Sequence, residues 1–334
     1  MARALNESEL LALVDALAPG GWQSGEKLAA AAGVTRAALA KRIARLREWG
    51  LEIHAEAGRG YRLDPPLERL DAGRIGALLP QAARERLRAL AVLAQTDSTN
   101  QRLLEAARDN DPQACFAEMQ TAGRGRRGRA WRSPFGANLY FSLAWRFANW
   151  PAQLPALPLA AGIACARALR ACGLREVKLK WPNDLRLSEA KLGGILVEQR
   201  GEAGGDCRAV IGVGVNYAMS ARQAGALDQA WTTVRAALGE RAPARNALAA
   251  ALLGELVNAL ARFEAGGFAA FASQWSEFDA LADQPVHVAG SGGVLAGIAR
   301  GIDAQGALVV EAAGRRHHLY AGEVSIRTPS GTAA

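Results

Sequence analysis

Residues 121–131 read "TAGRGRRGRAW", and residues 132–143 continue as "RSPFGANLYFSL". Gly123, Gly125 and Gly128 match the G-x-G-x-x-G spacing of dinucleotide-binding folds. That spacing is meaningful only where a helix opens directly after the glycines, because the helix N-terminus holds the pyrophosphate. Here a proline and another glycine follow, and then a stretch of strand-like composition. The sequence therefore predicts a loop before a buried strand and excludes a dinucleotide-binding fold at this point.

This loop is strongly basic on a flexible backbone. Five arginines lie within the nine residues from Arg124 to Arg132. A guanidinium presents a charged fork that suits phosphate or carboxylate, and glycines let the backbone approach a ligand closely. We interpret the segment as a mobile loop that surrounds an anionic ligand. A disordered RNA-binding tract is disfavoured because the arginines form no repeat, whereas a plain solvated turn stays open on this stretch alone.

Length and charge limit the function classes. A chain of 334 residues predicts two or three domains. The 40 lysines and arginines exceed the 32 acids, which gives a net charge of +8. Such an excess favours an anionic partner, such as nucleic acid or a phosphorylated ligand. Charge alone is equally compatible with a basic protein from an arginine-rich proteome.

Cysteine spacing and hydropathy indicate the compartment. The four cysteines show no C-x-x-C pair and no metal-type spacing with the four histidines, so we expect reduced thiols and no metal ligand set. Residues 1–17 place acids among apolar positions, which predicts an amphipathic helix rather than a signal peptide. Residues 154–172 are the most apolar region but contain two prolines and two arginines, which argues against a membrane span. We expect a soluble, cytoplasmic protein without a membrane partner.

Residues 1–63 predict a winged helix-turn-helix. Ser24 can cap a short helix that Gly33 ends, and Thr35 can cap a longer helix that ends near Gly50. Two extended runs around a glycine turn follow and predict a β-hairpin wing. Helices joined through so tight a turn are typical of DNA-binding domains.

The second helix of this pair carries the charge expected of a recognition helix. Leu39, Ile43 and Leu46 recur at helical spacing and predict its buried stripe. Residues 33–47 contain basic side chains and no acid. We therefore expect this helix to bind DNA, although a solvated basic helix face is the alternative. The predicted DNA-binding residues are Thr35, Arg36, Lys41, Arg42 and Arg45.

Two further segments follow a proline-containing linker at residues 63–70. Residues 67–280 alternate strand-like and helical runs, which predicts a central α/β domain of catalytic size with a mixed sheet. The strand-like runs begin near residues 90, 114, 137, 177, 192 and 208, and the long helices near residues 157 and 245. Residues 283–328 are short strands between glycine turns, which predicts a small SH3-like β-barrel. The predicted fold class is thus α+β multidomain.

Four polar motifs in the central segment could complete a ligand site. They are "TDSTN" at 96–100, "KWPNDL" at 180–185, "KLGGILVE" at 191–198 and "GVGVN" at 212–216. Each supplies hydroxyl, amide, carboxylate or ammonium groups beside a strand end. Each also has a structural interpretation that stays open when it is taken alone. "TDSTN" fits a capping box, the second a proline turn, the third a surface lysine at a strand entrance, and the last a turn.

Taken together, "DSTN", "GRGRRGRAW", "SPFGANLY", "KWPNDL", "KLGGILVE" and "GVGVN", behind a winged helix-turn-helix, resemble the bifunctional biotin protein ligases that repress the biotin operon. The resemblance covers nearly the whole chain. It implies a two-step reaction in which biotin and ATP give biotinyl-5′-AMP and pyrophosphate, and a lysine of an acceptor protein then takes the biotinyl group. Mg²⁺ is the metal that the resemblance implies. The arginine loop then resembles the family's adenylate-binding loop.

The resemblance assigns the biotin side residue by residue. Ser98, Thr99 and Asn100 resemble contacts to the ureido ring of biotin, with Gln120 beside them. The loop positions that resemble contacts to the carboxylate end and the phosphate are Arg124, Gly125 and Arg126. Lys191 resembles the lysine that contacts the biotin carboxyl group and its activated form.

The nucleotide side is assigned in the same way. Lys180, Asn183 and Asp184 would serve the nucleotide, and Asn216 the phosphates or Mg²⁺. Trp131 matches a loop aromatic that could stack on adenine. We take Asp184 as the candidate base for the acceptor lysine. The predicted catalytic residues are then Lys191, Arg124, Arg126 and Asp184.

The resemblance also implies partners and leaves two alternatives. The implied partners are the biotin carboxyl carrier protein of acetyl-CoA carboxylase, operator DNA, and a second copy of the chain in a ligand-promoted homodimer. A lipoate-type ligase or an octanoyl transferase is the nearest enzymatic alternative. The transferase needs a nucleophilic cysteine, and no cysteine lies in a candidate motif. A biotin-sensing repressor without catalysis is the alternative from another class.

Overall fold

Side-chain caps start the helices of the N-terminal segment. The computed structural model describes residues 6–107, 111–201, 206–225, 227–290, 293–320 and 322–326. The segment comprises α1 (Glu7–Leu17), α2 (Gly25–Ala31), α3 (Arg36–Glu48), β1 (Ile53–Glu56) and β2 (Gly60–Leu63). Ser24 accepts from the Lys27 amide, and Thr35 accepts from the Ala38 amide at 3.2 Å. β1 and β2 pair antiparallel. The predicted winged helix-turn-helix is therefore confirmed.

The N-terminal segment packs on the central one through α3 and the chain that leaves it. The Trp49 ring stacks on Phe135 with centroids 5.0 Å apart, and the Phe135 amide donates to the Trp49 carbonyl. Ser220 Oγ donates to Glu52 at 2.6 Å. Phe135 lies four residues beyond Trp131, so the end of α3 contacts the segment that carries the arginine loop.

A seven-stranded mixed sheet forms the centre of the molecule. Its strands are β3 (Ala89–Thr96), β4 (Gln113–Gln120), β5 (Leu139–Phe147), β6 (Val177–Lys180), β7 (Asp184–Leu187), β8 (Ala190–Gly201) and β9 (Cys207–Val215). Their order is β3-β4-β5-β9-β8-β7-β6. Only the β3–β4 pair is parallel; the other pairs in the order are antiparallel. The predicted strands and the mixed sheet are confirmed, while β7 was not predicted.

Helices cover the two faces of this sheet unequally. They are α4 (Ala72–Leu78), α5 (Gln81–Arg86), α6 (Thr99–Glu105), α7 (Leu157–Ala171), α8 (Ala221–Ala224), α9 (Val234–Leu238), α10 (Arg245–Gly266) and α11 (Ala269–Phe278). The long predicted helices α7 and α10 pack on one face and bury most of the core. The short α6 packs Leu103 and Leu104 on the opposite face, against Cys115 and Val210. One end of that second face is left to polar and glycine residues.

The C-terminal segment is a five-stranded antiparallel sheet. It comprises β10 (Pro285–Gly290), β11 (Gly293–Ile302), β12 (Leu308–Ala312), β13 (Arg315–Leu319) and β14 (Glu323–Ile326), in the order β13-β12-β11-β10-β14. Val286 and Leu308 join the same apolar core as α7 and α10. Trp181 Nε1 donates to the Gly306 carbonyl at 3.1 Å, which fixes the "KWPNDL" turn against this sheet. The small β-segment is confirmed, and its closure into an SH3-like barrel stays a prediction.

The hydropathy of residues 154–171 would suffice for a membrane-spanning helix, but 72% of them are buried inside the protein. That burial is what a core helix of this hydropathy shows, and it agrees with the prolines and arginines that argue against a membrane span. Three of the four cysteines are buried and Cys172 is half-buried. Burial raises the pKa of Cys115 to about 11, which keeps this thiol protonated at neutral pH.

A buried ion pair fixes the linker to the central sheet. Arg245 of α10 pairs with Glu118 of β4 at 2.9 Å, and both side chains are at most 2% exposed. Glu118 also accepts from the Leu70 amide at 2.6 Å, and Arg245 donates to the Glu68 carbonyl. These contacts pair the two charges and join the linker to β4 and α10, although Arg245 Nε itself has no hydrogen-bond partner.

We expect Arg245→Met to lower the free energy of unfolding by about 3–5 kcal/mol, because Glu118 would keep a buried charge without its partner. Urea unfolding followed by tryptophan fluorescence measures the loss. The double change Arg245→Met with Glu118→Gln should recover part of it, since the uncompensated charge is gone. Arg146→Met, which breaks an exposed pair with Asp206, is the control and should cost about 1 kcal/mol or less. An Arg245→Met protein as stable as this control would contradict the prediction.

Candidate functional site

A cavity of about 220 Å³ lies on the sheet face that α6 leaves uncovered. Side chains on one face of a strand recur every second residue, so Gly194 and Leu196 of β8 lie beside Gly212 and Gly214 of β9. The predicted site residues that line the cavity are Ser98, Thr99, Asn100, Gln120, Arg124, Gly125, Arg126, Trp131, Lys180, Asn183, Asp184 and Lys191. The fold thus brings together residues that are up to 93 positions apart in the sequence.

The "TDSTN" motif turns the chain from β3 into α6. Asp97 Oδ1 accepts from the Ser98 amide at 2.6 Å, and the Thr99 amide donates to Gln120 Oε1 at 2.9 Å. Ser98 occupies the N-cap position, but its side chain makes no capping bond, and Gln101 bonds Glu105 instead. The capping-box alternative is therefore wrong. The hydroxyl of Ser98 is thus not used by the helix start, although the residue lines the cavity.

Asn100 is held against bare backbone at the cavity floor. A Cβ at Gly212 would collide with the Asn100 amide, so glycine at this position permits the close approach. Asn100 Nδ2 donates to Glu198 Oε2 at 2.8 Å, and Ser142 Oγ donates to Asn100 Oδ1 at 2.5 Å. Asn100 and Ser142 are at most 3% exposed. The site thus contains a preformed polar network at this end.

The arginine loop forms a small hairpin over the cavity. The Trp131 amide donates to the Gly123 carbonyl at 2.8 Å, and the Gly125 amide to the Arg129 carbonyl at 2.7 Å. Arg126 donates to Asn183 Oδ1 at 3.3 Å, and Arg124 pairs with Glu198 at 3.0 Å. The loop backbone is therefore closed on itself, and two of its arginines reach the sheet.

The Trp131 indole packs against Gly214 of β9 and Gly194 of β8, where the backbone carries no side chain. A Cβ at Gly214 would come within 2.6 Å of the indole, and one at Gly194 within 3.4 Å. Lys191 Nζ lies 5.5 Å from the centre of the ring. The glycines of "GGIL" and "GVGV" thus make room for an aromatic ring and a ligand beside it. Such a ring offers a flat surface to a planar group.

A lysine and a carboxylate face each other at the opposite wall. Lys191 Nζ pairs with Asp184 Oδ1 at 2.7 Å, with the two side chains 18% and 22% exposed. Lys180 lies opposite Asp184 in the β6–β7 pair. Burial and then the Arg186 charge lower the pKa of Lys180, while Asp184 opposes that shift. Cations therefore outnumber carboxylates here, which suits a ligand with more than one negative charge.

Asn216 is the predicted site residue that does not line the cavity. It is 5% exposed, and its Nδ2 donates to the Lys191 carbonyl at 3.3 Å. The backbone N–H of Asn216 donates to the Leu192 carbonyl. In this structure Asn216 holds the backbone that carries Lys191, and its role at phosphates or Mg²⁺ stays a prediction.

Several residues of the site were not predicted from the sequence. In the sequence Glu198 is only the end of a motif, and Ser142 is only part of a strand-like run. Gln229, Gly322 and Val324 line the cavity, whereas Glu198 and Ser142 lie outside its lining and hydrogen-bond Asn100, which lines it. Alternation along β5 and β8 could have placed Ser142 and Glu198 on one face, but only the strand order brings those two strands to the same cavity.

The recognition helix presents part of the predicted DNA-binding set. Arg36, Lys41 and Arg45 are exposed on α3. Thr35 is exposed too, and its hydroxyl accepts the capping bond. Arg42 differs from the expectation, because it is 7% exposed and pairs with Glu9 of α1 at 2.7 Å. We therefore remove Arg42 from the candidate DNA contacts.

Three protein-family models match the three segments separately. Residues 92–216 match the Biotin/lipoate A/B protein ligase family, residues 282–327 the biotin protein ligase C-terminal domain, and residues 17–62 an HTH domain. The biotin protein ligase from Aquifex aeolicus in complex with biotin and ATP is similar in structure, with a TM-score of 0.60 at 26% identity. It covers 72% of this chain and 99% of its own.

Whole-chain relatives agree with this. The bifunctional ligase/repressor BirA of Salmonella typhimurium is 43% identical over 319 residues, which cover 95% of this chain and 97% of the relative. The BirA protein of Escherichia coli is equally similar, with the same coverage. The biotin–[acetyl-CoA-carboxylase] ligase of Mycobacterium tuberculosis is 36% identical over 71% of this chain. The chain therefore belongs to the biotin protein ligase family and resembles its bifunctional ligase/repressor members along nearly its whole length.

Proposed function

We propose that this chain is an ATP-dependent biotin protein ligase that also represses transcription. In the first step biotin and ATP give biotinyl-5′-AMP and pyrophosphate; in the second the biotinyl group passes to a lysine of a biotin carboxyl carrier protein. One observation carries the proposal. A single cavity contains the "TDSTN" corner, the arginine loop and the Lys191–Asp184 pair, which is the residue set that the first step needs.

The first step requires two anions to meet. A carboxylate must approach the α-phosphate, and the repulsion between them falls only if cations surround both. Lys191, Lys180 and Arg126 all line the cavity and supply that charge without a protein nucleophile. The half-buried position of Lys191 strengthens its interaction with an anion relative to bulk water.

We assign each part of biotin and ATP to the cavity residues whose chemical groups suit it. The polar corner of Ser98 and Thr99 suits the ureido ring of biotin. The loop residues Arg124 and Arg126 suit its carboxylate end and the α-phosphate. Trp131 lines the cavity and would offer its ring to adenine, since an aromatic face suits a planar group. The mixed anhydride needs protection from water, which the arginine loop would provide when it closes.

Mg²⁺ fits this site only together with ATP. Proteins usually hold Mg²⁺ by one or two carboxylates plus substrate phosphates. Asp184 is the one carboxylate among the described residues that line the cavity, so it would hold the ion with the ATP phosphates. Bound there, the ion would neutralise phosphate charge. The described residues contain no cluster of three or more metal-ligating side chains, so we propose no resident metal.

We further propose a function for each of the three segments. Residues 1–63 would bind operator DNA, residues 67–280 biotin and ATP, and residues 283–328 would complete the site from the C-terminal side. A winged helix reads a short half-site, so a ligand-promoted homodimer would present two. The carrier protein would meet the same surface as the second copy of this cytoplasmic protein, so catalysis and repression would compete for that surface.

The decisive experiment is biotin-dependent exchange of pyrophosphate into ATP, followed by transfer of biotin to a purified biotin carboxyl carrier domain detected with streptavidin. Exchange with lipoate in place of biotin would overturn the assignment in favour of the lipoate-type ligase. Biotin binding without exchange would favour the repressor without catalysis. None of the four cysteines lines the cavity, which disfavours the octanoyl transferase.

We expect trypsin to cleave the loop near Arg127 about tenfold more slowly in the presence of biotinyl-5′-AMP at ten times its dissociation constant, because ligand binding depletes the open state in that proportion. Arg127 lies at the exposed tip of the loop. Cleavage after Arg59, exposed in the wing, is the internal control and should not change. Equal rates at the loop with and without ligands would show that the loop does not close.

A further inference from the structure

Glu198 connects two parts of the site that no motif joins. It lies on β8, and its Oε2 accepts from Asn100 Nδ2 at 2.8 Å and lies 3.0 Å from an Arg124 guanidinium nitrogen, with which it forms an ion pair. Asn100 belongs to α6, whereas Arg124 begins the basic stretch of the loop. The Glu198 side chain is 27% exposed and that of Arg124 is 37% exposed. A single carboxylate oxygen thus holds the start of the loop next to the polar corner.

The direction of each hydrogen bond around Asn100 can be assigned. Asn100 Nδ2 faces Glu198 and the Leu196 carbonyl, which are both acceptors, so this end of the amide must be the NH₂ group. Its Oδ1 then faces Ser142 Oγ, which must donate its proton to it. The Thr99 hydroxyl lies 2.7 Å from the same Oγ and can donate to it. The chain of donors therefore runs from Ser142 through Asn100 to Glu198, and the one proton of the Thr99 hydroxyl is shared between Ser142 and Gln120 Oε1, which lies 3.2 Å away.

This assignment commits both ends of Asn100 to the protein. Its carbonyl is used by Ser142 and its NH₂ group by Glu198 and a backbone carbonyl. Asn100 is also 3% exposed. Such a group serves better as a fixed support than as a ligand contact, because a ligand would have to displace buried hydrogen bonds. The side chain that Asn100 orients is the Glu198 carboxylate, to which it donates a hydrogen bond.

We propose that Glu198 is a positioning residue for the ligase reaction: its carboxylate, oriented by Asn100, holds Arg124 over the cavity before the ligand arrives. The proposal rests on the function proposed above. The Thr121 and Ala122 amides donate to the Thr96 and Asp97 carbonyls and attach the base of the loop, whereas the backbone bonds beyond Gly123 join the hairpin only to itself. The Arg124–Glu198 and Arg126–Asn183 contacts attach the hairpin to the sheet.

The expected consequence is a change in KM rather than in kcat. If the loop is ordered in only a fraction of the ligand-free molecules, only that fraction can bind the ligand. The apparent affinity is then reduced to the same fraction of the intrinsic affinity. Once the ligand is bound, the arginines have the anion itself as a partner, so the chemical step should change little. A partly exposed ion pair contributes modestly, and we expect about a fivefold effect.

The test uses Glu198→Gln, which keeps an oxygen acceptor for Asn100 and removes the charge that pairs with Arg124. We expect the KM for biotin in the exchange assay to rise about fivefold while kcat stays within about twofold. Tryptic cleavage of the loop in the ligand-free protein should accelerate by a similar factor. Glu198→Asp keeps the charge one methylene shorter and should lie between Glu198→Gln and the unmodified protein.

The matched control is Glu255→Gln, which breaks the Arg167–Glu255 pair on the helical face, where the side chains are 50% and 37% exposed. It should leave KM and loop cleavage unchanged. In an Arg124→Gln background, Glu198→Gln should add little, because its effect passes through Arg124. Full additivity, or a Glu198→Gln protein with normal KM and normal loop cleavage, would overturn the proposal.

The two readouts separate this proposal from the function on which it rests. An unmodified protein that exchanges no pyrophosphate with biotin would refute the ligase assignment. Loop cleavage in the ligand-free protein does not depend on catalysis, so it still decides whether Glu198 holds the loop. Unaltered cleavage in Glu198→Gln, with normal exchange by the unmodified protein, would refute the positioning role alone.

Discussion

Lys191→Met is expected to lower biotin-dependent pyrophosphate exchange about 10²–10³-fold while leaving the fold intact, because it removes a charge aimed at the reacting anions. The Lys191 ammonium lies 2.7 Å from Asp184 and over the Trp131 ring. Methionine keeps the apolar stem that packs beside this ring. The pair is partly exposed, so its loss should change the free energy of unfolding little. Circular dichroism and thermal unfolding check that the protein is still folded.

Two variants make this result specific. Lys178→Met changes a lysine of β6 that donates to the Glu277 carbonyl outside the cavity, and its exchange rate should stay near normal. Lys191→Met combined with Asp184→Asn removes the carboxylate that the single change leaves without its partner. Recovery of exchange in that double variant would mean that the unpaired Asp184 caused the loss. Near-normal exchange in Lys191→Met itself would remove Lys191 from the site.

The parts of the fold that local chemistry determines were predictable. Ser24 and Thr35 were identified as caps from residue type and position, and both accept the expected amide bonds. The strands of the central sheet were visible as apolar runs between polar turns, since most of them are buried on at least one face. Helix α10 was found with its full length, because a long alanine- and leucine-rich run without proline has few other conformations.

Arg42 shows where charge counting failed although spacing would have succeeded. It lies three residues after Leu39 and four before Leu46, so it belongs to the buried stripe of α3. A run of basic residues without acids suggested one exposed face instead. What no local pattern could supply is the partner, Glu9, which lies 33 residues earlier on another helix.

Contacts made across the sheet could not be predicted from the sequence, because their partners also lie far apart in the chain. Glu198 meets Asn100 across 98 positions, and the strand order that brings them together depends on how all seven strands pair. Gly214 is a ligand-site residue only because Trp131 lies on it. The resemblance found most of the lining, since its motifs encode function directly. It could not reveal side chains whose only task is to hold other side chains.

The triple variant Arg36→Gln, Lys41→Gln, Arg45→Gln is expected to weaken DNA binding roughly a hundredfold at moderate salt and to reduce the slope of log K against log salt by about three per bound chain. These side chains are exposed on α3, where phosphates can reach them. Fluorescence anisotropy with a duplex selected by the unmodified protein, measured over a range of KCl concentrations with biotinyl-5′-AMP present, gives both numbers.

Arg42→Gln provides the contrast that makes this prediction specific to the exposed face. Arg42 is buried against Glu9, so this change should reduce the free energy of unfolding of the N-terminal segment and leave the salt slope of the folded protein unaltered. If only the number of charges mattered, replacing any arginine of α3 would reduce the slope of log K against log salt equally. A triple variant with an unchanged slope would show that α3 does not face the phosphates. Ligase activity should survive all four changes, because the cavity lies in the central segment and none of these residues lines it.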